Sequence, residues 1–133
     1  MLPMVACAVV ACTGADDKSG GDSERYQAKP LQMAKLEADA VDISAGDATD
    51  WKVLDLQDTG YLTVELVLDN ANAEVSLSLF DRFGKPVARA SHRKGEPVQL
   101  KLTTDVGIGR YFVRVQADKG SEATGYSIRA VVK

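Results

Sequence analysis

The sequence predicts an all-β protein: an antiparallel β-sandwich of about seven to eight strands, with jelly-roll-like connections, behind a disordered N-terminal tether. Three observations carry this. From Ala40 onward, apolar residues recur with a period of two and not 3.6. The runs are short and are separated by Gly, Asn, Asp and Pro at intervals of roughly 8 to 12 residues. Each run is apolar on one face only, so each sheet is expected to bury one face and show the other to water.

Taken in order, Trp51-Lys-Val53-Leu-Asp-Leu56 is the first run. Leu62, Val64, Leu66 and Leu68 then share one face of a second. Val75, Leu77 and Leu79 form a third, with Ser76 and Ser78 opposite. Val98, Leu100 and Leu102 alternate with Gln99 and Lys101. Tyr111, Val113 and Val115 point inward, which turns Phe112 outward beside Arg114. Tyr126, Ile128, Ala130 and Val132 close the set. Turn residues stand between the runs: Asp58 to Gly60, Asp69 to Asn72, Asp81 to Pro86, Lys94-Gly95, Gly107 to Gly109 and Lys119-Gly120. Pro86 has no N–H for a ladder and is expected to open a strand or lie on an edge. Lys52, Glu65, Lys101, Arg114 and Arg129 are expected on the outer faces.

Composition bounds the rest. At 133 residues the chain makes one domain, and 45% apolar with 26% charged residues argues against global disorder. The longest apolar stretch, Met1 to Ala11, falls short of the roughly 20 residues that span a bilayer as a helix. The net charge of −3 hides a split: Asp16 to Asp81 carries −10 and Arg82 to Lys133 carries +7. Interleaving strands from the two halves would compensate this locally; an electrostatic partner is the other reading.

The first residues read as a targeting segment followed by a linker. Val9-Val10-Ala11-Cys12 is a small, apolar approach to a cysteine, followed by the polar tract Thr13 to Ser23. This resembles a bacterial lipobox. That resemblance implies a signal segment over 1–12, cleavage before Cys12 and acylation of its thiol. Each buried methylene of an acyl chain contributes about 0.8 kcal/mol to membrane attachment. No Lys or Arg precedes the apolar run, and the run is short, as in a truncated signal. A disordered apolar tail and a Cys7–Cys12 disulfide are the other readings. Thr13 after the cysteine, by the sorting rule of enterobacterial lipoproteins, implies the outer membrane. Residues 13–40 are read as a flexible linker and 41–133 as the sandwich domain, although Leu31, Met33 and Leu36 could begin an edge strand and Leu31, Lys35 and Ala38 could equally be one side of a short helix.

The order of the motifs narrows the class further. Asp50-Trp51-Lys-Val53, Gly60-Tyr-Leu-Thr-Val64, Val75 to Leu79 ending in Asp81-Arg-Phe-Gly84, Gly109-Arg-Tyr111-Phe-Val113-Arg-Val115 and Tyr126-Ser-Ile128 follow one another. In this order they resemble the bacterial pre-peptidase C-terminal domain family over about 41–133. The resemblance implies a β-sandwich usually appended to secreted peptidases, with some members that bind collagen or polysaccharide. This chain carries no peptidase. Some members hold Ca²⁺, and Asp39, Asp42, Asp47 and Asp50 cluster near Gly46. Their spacing is not that of an EF-hand, and surface acid is the better reading.

Little catalytic chemistry is legible. His92 is the one imidazole, read as a solvated residue of a loop over Ala90 to Lys94. Both cysteines precede the domain, and no Gly-rich loop opens a helix. The basic run from Arg82 to Lys94 has one aromatic, Phe83, which does not make the stacking platform of a nucleic-acid binder. The expectation is a non-enzymatic binding or scaffolding lipoprotein of the bacterial cell envelope. It would use no cofactor and no nucleic acid, hold the membrane through Cys12 and meet an envelope protein partner. The alternative is a carbohydrate- or matrix-binding module, with stacking by Trp51, Tyr61 or Phe112. Candidate ligand contacts are Phe112, Arg89, His92, Arg93 and Lys94.

Overall fold

The computed structural model describes residues 23–133. The 1–12 segment with Cys12, and the first ten residues of the expected linker, lie outside the described residues. A 3-10 turn, Arg25–Gln27, leads into nine strands: β1 (Lys29–Pro30), β2 (Glu37–Val41), β3 (Thr49–Leu56), β4 (Gly60–Leu68), β5 (Val75–Asp81), β6 (Pro86–His92), β7 (Gln99–Val106), β8 (Gly109–Ala117) and β9 (Thr124–Val132). They form two sheets, one of five strands ordered β1-β3-β8-β5-β6 and one of four ordered β2-β9-β4-β7. Every pairing is antiparallel except that of β1 with β3. This is the all-β sandwich that the alternation predicts.

Alternation decides which side chains meet between the sheets. Leu54, Val113, Val115, Leu77 and Leu79 project from the five-stranded sheet, and Leu62, Val64, Leu66 and Ile128 project from the other; each has no exposed surface. Turn chemistry fixes the corners. At the β5–β6 turn the Asp81 carboxylate accepts from the backbone N–H groups of Phe83 and Lys85, both at 2.9 Å. Gly84 there has φ of 86°, a left-handed conformation that costs glycine little. Pro86 opens β6, an edge strand, as a residue without an N–H should.

The opposite signs of the two halves of the chain meet across strand pairs. Arg110 binds Asp55 at 2.8 Å between β8 and β3, and Arg129 binds Glu65 at 2.8 Å between β9 and β4. Lys101 on β7 reaches the same Glu65 at 3.9 Å. Local compensation thus accounts for part of the charge split.

Three details differ from the sequence reading. The sandwich begins well before Val41: β1 pairs with Lys52 and Val53, Leu31 is 4% exposed in the core, and all five residues of β2 pair with β9. Backbone pairing, and not a hydrophobic period, recruits this segment. Lys52 points inward and is 5% exposed, because the β3 phase places Asp50, Lys52, Leu54 and Leu56 between the sheets. The expected loop around His92 is the end of β6, which runs from Pro86 through Ala90 and Ser91 to His92.

Candidate functional site

The outer face of the five-stranded sheet carries the most unusual surface among the described residues. Registers place Trp51 opposite Arg114, Arg114 opposite Ser78, and Ser78 opposite Arg89, one row across four strands. The next row runs Val53, Phe112, Phe80. Such positions normally face water and hold small polar or charged groups. Here Ser76 and Ser78 are 1% and 4% exposed and Phe80 is 9% exposed, because long side chains lie across the sheet.

Stacking holds that cover in place. The Arg114 guanidinium lies 5.0 Å from the Phe80 ring centre and 5.5 Å from that of Trp51. The two rings are themselves 5.2 Å apart at 43°. Arg25, from the 3-10 turn, lies 5.4 Å over Phe112. Burial pushes the Arg114 guanidinium below its ordinary value; the Arg89 charge pushes the same way and Asp118 opposes it. Arg89 Nη2 donates to Ser76 Oγ at 3.0 Å, and that hydroxyl donates to the Asp118 carboxylate at 3.0 Å. Two clefts share Arg89. One, of about 310 Å³, is lined by Ser78, Phe80, Pro86, Val87, Ala88, Arg89 and Arg114. The other, of about 360 Å³, is lined by Glu74, Arg89, Ser91, Arg93, Asp118 and Lys119.

The candidate contacts therefore separate. Arg89, Arg93 and Phe112 lie along this face or its rim, and Phe112 points outward as alternation predicts, half-buried under Arg25. Lys94 is exposed in the turn after β6, where its N–H reaches Glu74 Oε2 at 3.5 Å. His92 does not belong to the surface: it is 2% exposed, and its ring nitrogens lie 2.8 Å from the Ala73 carbonyl oxygen and 2.9 Å from that of Glu96. The even phase of β6 turns it into the sandwich edge, which overturns the expectation of a solvated imidazole. Trp51 and Arg114 are the members that sequence reasoning missed as a pair. Placing Lys52 on the outer face assigns β3 the opposite phase and turns Trp51 inward; Val53 and Leu54 are both apolar, so the apolar pattern alone does not fix the phase.

The four acidic residues considered for calcium are engaged separately. Asp39 accepts from Lys52 Nζ at 2.5 Å, and Asp42 accepts from the Ser44 hydroxyl at 2.7 Å and from its N–H at 3.1 Å. Asp47 pairs its backbone with Asp42, and Asp50 accepts from the Tyr126 hydroxyl at 2.5 Å. Among the described residues no group of three or more His, Cys, Asp or Glu side chains gathers as a metal site. No described helix is long and apolar enough to cross a membrane.

No protein-family model and no curated protein sequence matches this chain. Its fold is similar to that of solved structures. The pre-peptidase C-terminal domain of a collagenase from Bacillus anthracis aligns with a TM-score of 0.65 at 10% identity, over 77% of this chain and 93% of that one. CorA, a surface-associated copper-binding protein of Methylomicrobium album BG8, aligns with a TM-score of 0.59 at 10% identity, over 80% and 98%. PliG, a periplasmic inhibitor of g-type lysozyme from Aeromonas hydrophila, gives 0.51 at 12% identity, over 80% and 96%. At these identities the likeness establishes the architecture and carries no residue roles.

Proposed function

We propose that this protein is a non-enzymatic binding or scaffolding module of the bacterial cell envelope, held at the outer membrane by acylated Cys12, and that it binds through the outer face of its five-stranded sheet. The observation that carries the binding reading is the row Trp51, Arg114, Ser78, Arg89. A sheet face that only met solvent would not gather stacked aromatic rings and two guanidiniums across adjacent strands. The sandwich likeness to a pre-peptidase C-terminal domain supports a binding role.

The test is the intact mass of the mature protein expressed from its own locus, followed by fractionation. A chain that starts at Cys12, carries acyl mass and sediments with outer membrane supports the reading. A soluble chain that retains Met1 and free thiols overturns the anchor.

A second reading, a carbohydrate- or matrix-binding module, is favoured by a specific observation. Trp51, Phe80 and Phe112 share one face, and Phe80 lines a cleft on it with Arg89 and Arg114, where a sugar ring could lie.

A further inference from the structure

We propose that the cleft between Arg89 and Arg114 binds the carboxylate of an acidic sugar, a hexuronate within a polysaccharide lying across the five-stranded sheet. The inference rests on the carbohydrate-binding reading and names its ligand class.

The cleft is lined by two guanidiniums that make no ion pair among the described residues. The acidic half of the chain supplies ion-pair partners to Arg110, Arg129, Lys101 and Lys52. Among the described residues, neither Arg89 nor Arg114 has a carboxylate within salt-bridge distance, and Asp118 reaches Arg89 only through the Ser76 hydroxyl. Both arginines flank Ser78, one from each neighbouring strand. The Arg114 guanidinium is held in orientation by the Phe80 and Trp51 rings beside it. A planar, pre-oriented fork beside a second, exposed arginine suits a carboxylate.

The rest of the lining selects the body that carries the carboxylate. Phe80, Pro86, Val87 and Ala88 give the cleft an apolar wall against which the C–H face of a pyranose ring can lie. Its volume of about 310 Å³ is at the lower end for small-molecule sites, enough for one ring and its substituents. The adjoining cleft mixes Arg93 and Lys119 with Glu74 and Asp118. Those carboxylates can accept hydrogen bonds from sugar hydroxyls.

The experiment is calorimetric titration of the full chain with oligomers of galacturonic acid and with their methyl esters, which keep the ring and remove the charge. The inference expects binding of the free acid and at least about tenfold weaker binding of the ester, the size of a lost charge-assisted hydrogen bond. Arg89→Gln should lose affinity for the free acid by a similar factor while its thermal midpoint stays unchanged. Arg114→Lys, which keeps the charge and removes the fork, should also weaken it. Equal binding of acid and ester, or an Arg89→Gln variant that binds as the parent does, overturns the inference and leaves a neutral-sugar module standing. Inorganic phosphate that competes at comparable concentration also overturns it, in favour of a general anion site. A folded chain that binds neither oligomer overturns the inference, and a glycan array of neutral sugars then decides the carbohydrate reading separately.

Discussion

The Tyr126 hydroxyl donates a 2.5 Å hydrogen bond to the Asp50 carboxylate across the interior, tying β9 of the four-stranded sheet to β3 of the five-stranded one. Tyr126 is 2% exposed and Asp50 has no exposed surface. Two residues along β3, Lys52 makes a second bridge between the sheets, to Asp39 of β2. These polar ties set the phase of β3, and that phase turns Trp51 outward onto the face proposed to bind. The interior and the candidate site are thus two consequences of one strand's register.

Removing the hydroxyl from this tie should be felt in stability. Tyr126→Phe keeps the ring and takes one donor from a buried carboxylate, a change of about 2 kcal/mol for a hydrogen bond to a charged group. Urea unfolding monitored by circular dichroism measures it. A variant as stable as the parent would show that the tie contributes nothing net.

The second bridge should respond asymmetrically. The Lys52 side chain is 7% exposed and that of Asp39 is 30% exposed. Lys52→Met removes a buried ammonium and leaves a carboxylate that water reaches, so a loss under about 1 kcal/mol is expected. Asp39→Ala leaves the ammonium in place and should cost about 2 kcal/mol. The same unfolding measurement decides the order, and the reverse order would contradict the assignment of Lys52 as the desolvated member.

The outer ion pairs give a pH dependence of known sign. The Arg110 hydrogen bond lowers the Asp55 carboxyl below its ordinary 3.8, against a small opposing effect of burial, and the Arg110 charge adds to it. Likewise Arg129 lowers Glu65 below 4.5, with Lys101 and Gln99 contributing. A depressed folded-state value means stability that is present above the unfolded value and is lost as pH falls through the folded one. The stability difference between the parent and Asp55→Asn should therefore shrink from neutral into strong acid. It should also shrink with added salt, since both partners are exposed. A difference constant from neutral to strong acid would contradict this pairing.

His92 should behave as an interior residue. Diethyl pyrocarbonate should leave it unmodified in the folded chain and react once the chain is unfolded. His92→Phe withdraws the ring nitrogens from two backbone carbonyls and should cost about 2 kcal/mol. Rapid native-state modification would return His92 to the surface.

Much of this fold is legible in the sequence because the apolar period is directly a statement about faces. Leu62 to Leu68 and Val75 to Leu79 bury the side that alternation names, and Pro86 begins an edge strand as its missing N–H requires. Two segments resisted. Glu37 to Val41 has little apolar pattern, and its strand exists through pairing with β9, a partner some ninety residues away. In β3 the inward positions include Asp50 and Lys52, so the most polar residues lie where pattern reading puts apolar ones. The site was legible only in pieces. Arg89 and Phe112 were nameable as outward residues, but their alignment with Trp51, Ser78 and Arg114 depends on registers between strands distant in sequence.

The most direct test of the account is amide and indole chemical-shift mapping of the isotope-labelled full chain during titration with oligogalacturonate. The account predicts shifts at the Trp51 indole and along β3, β5, β6 and β8, centred on Ser78, Arg89 and Arg114. Shifts centred instead on Tyr61, Thr63 and Glu65 of the other sheet's outer face, or no shifts at all, would contradict it.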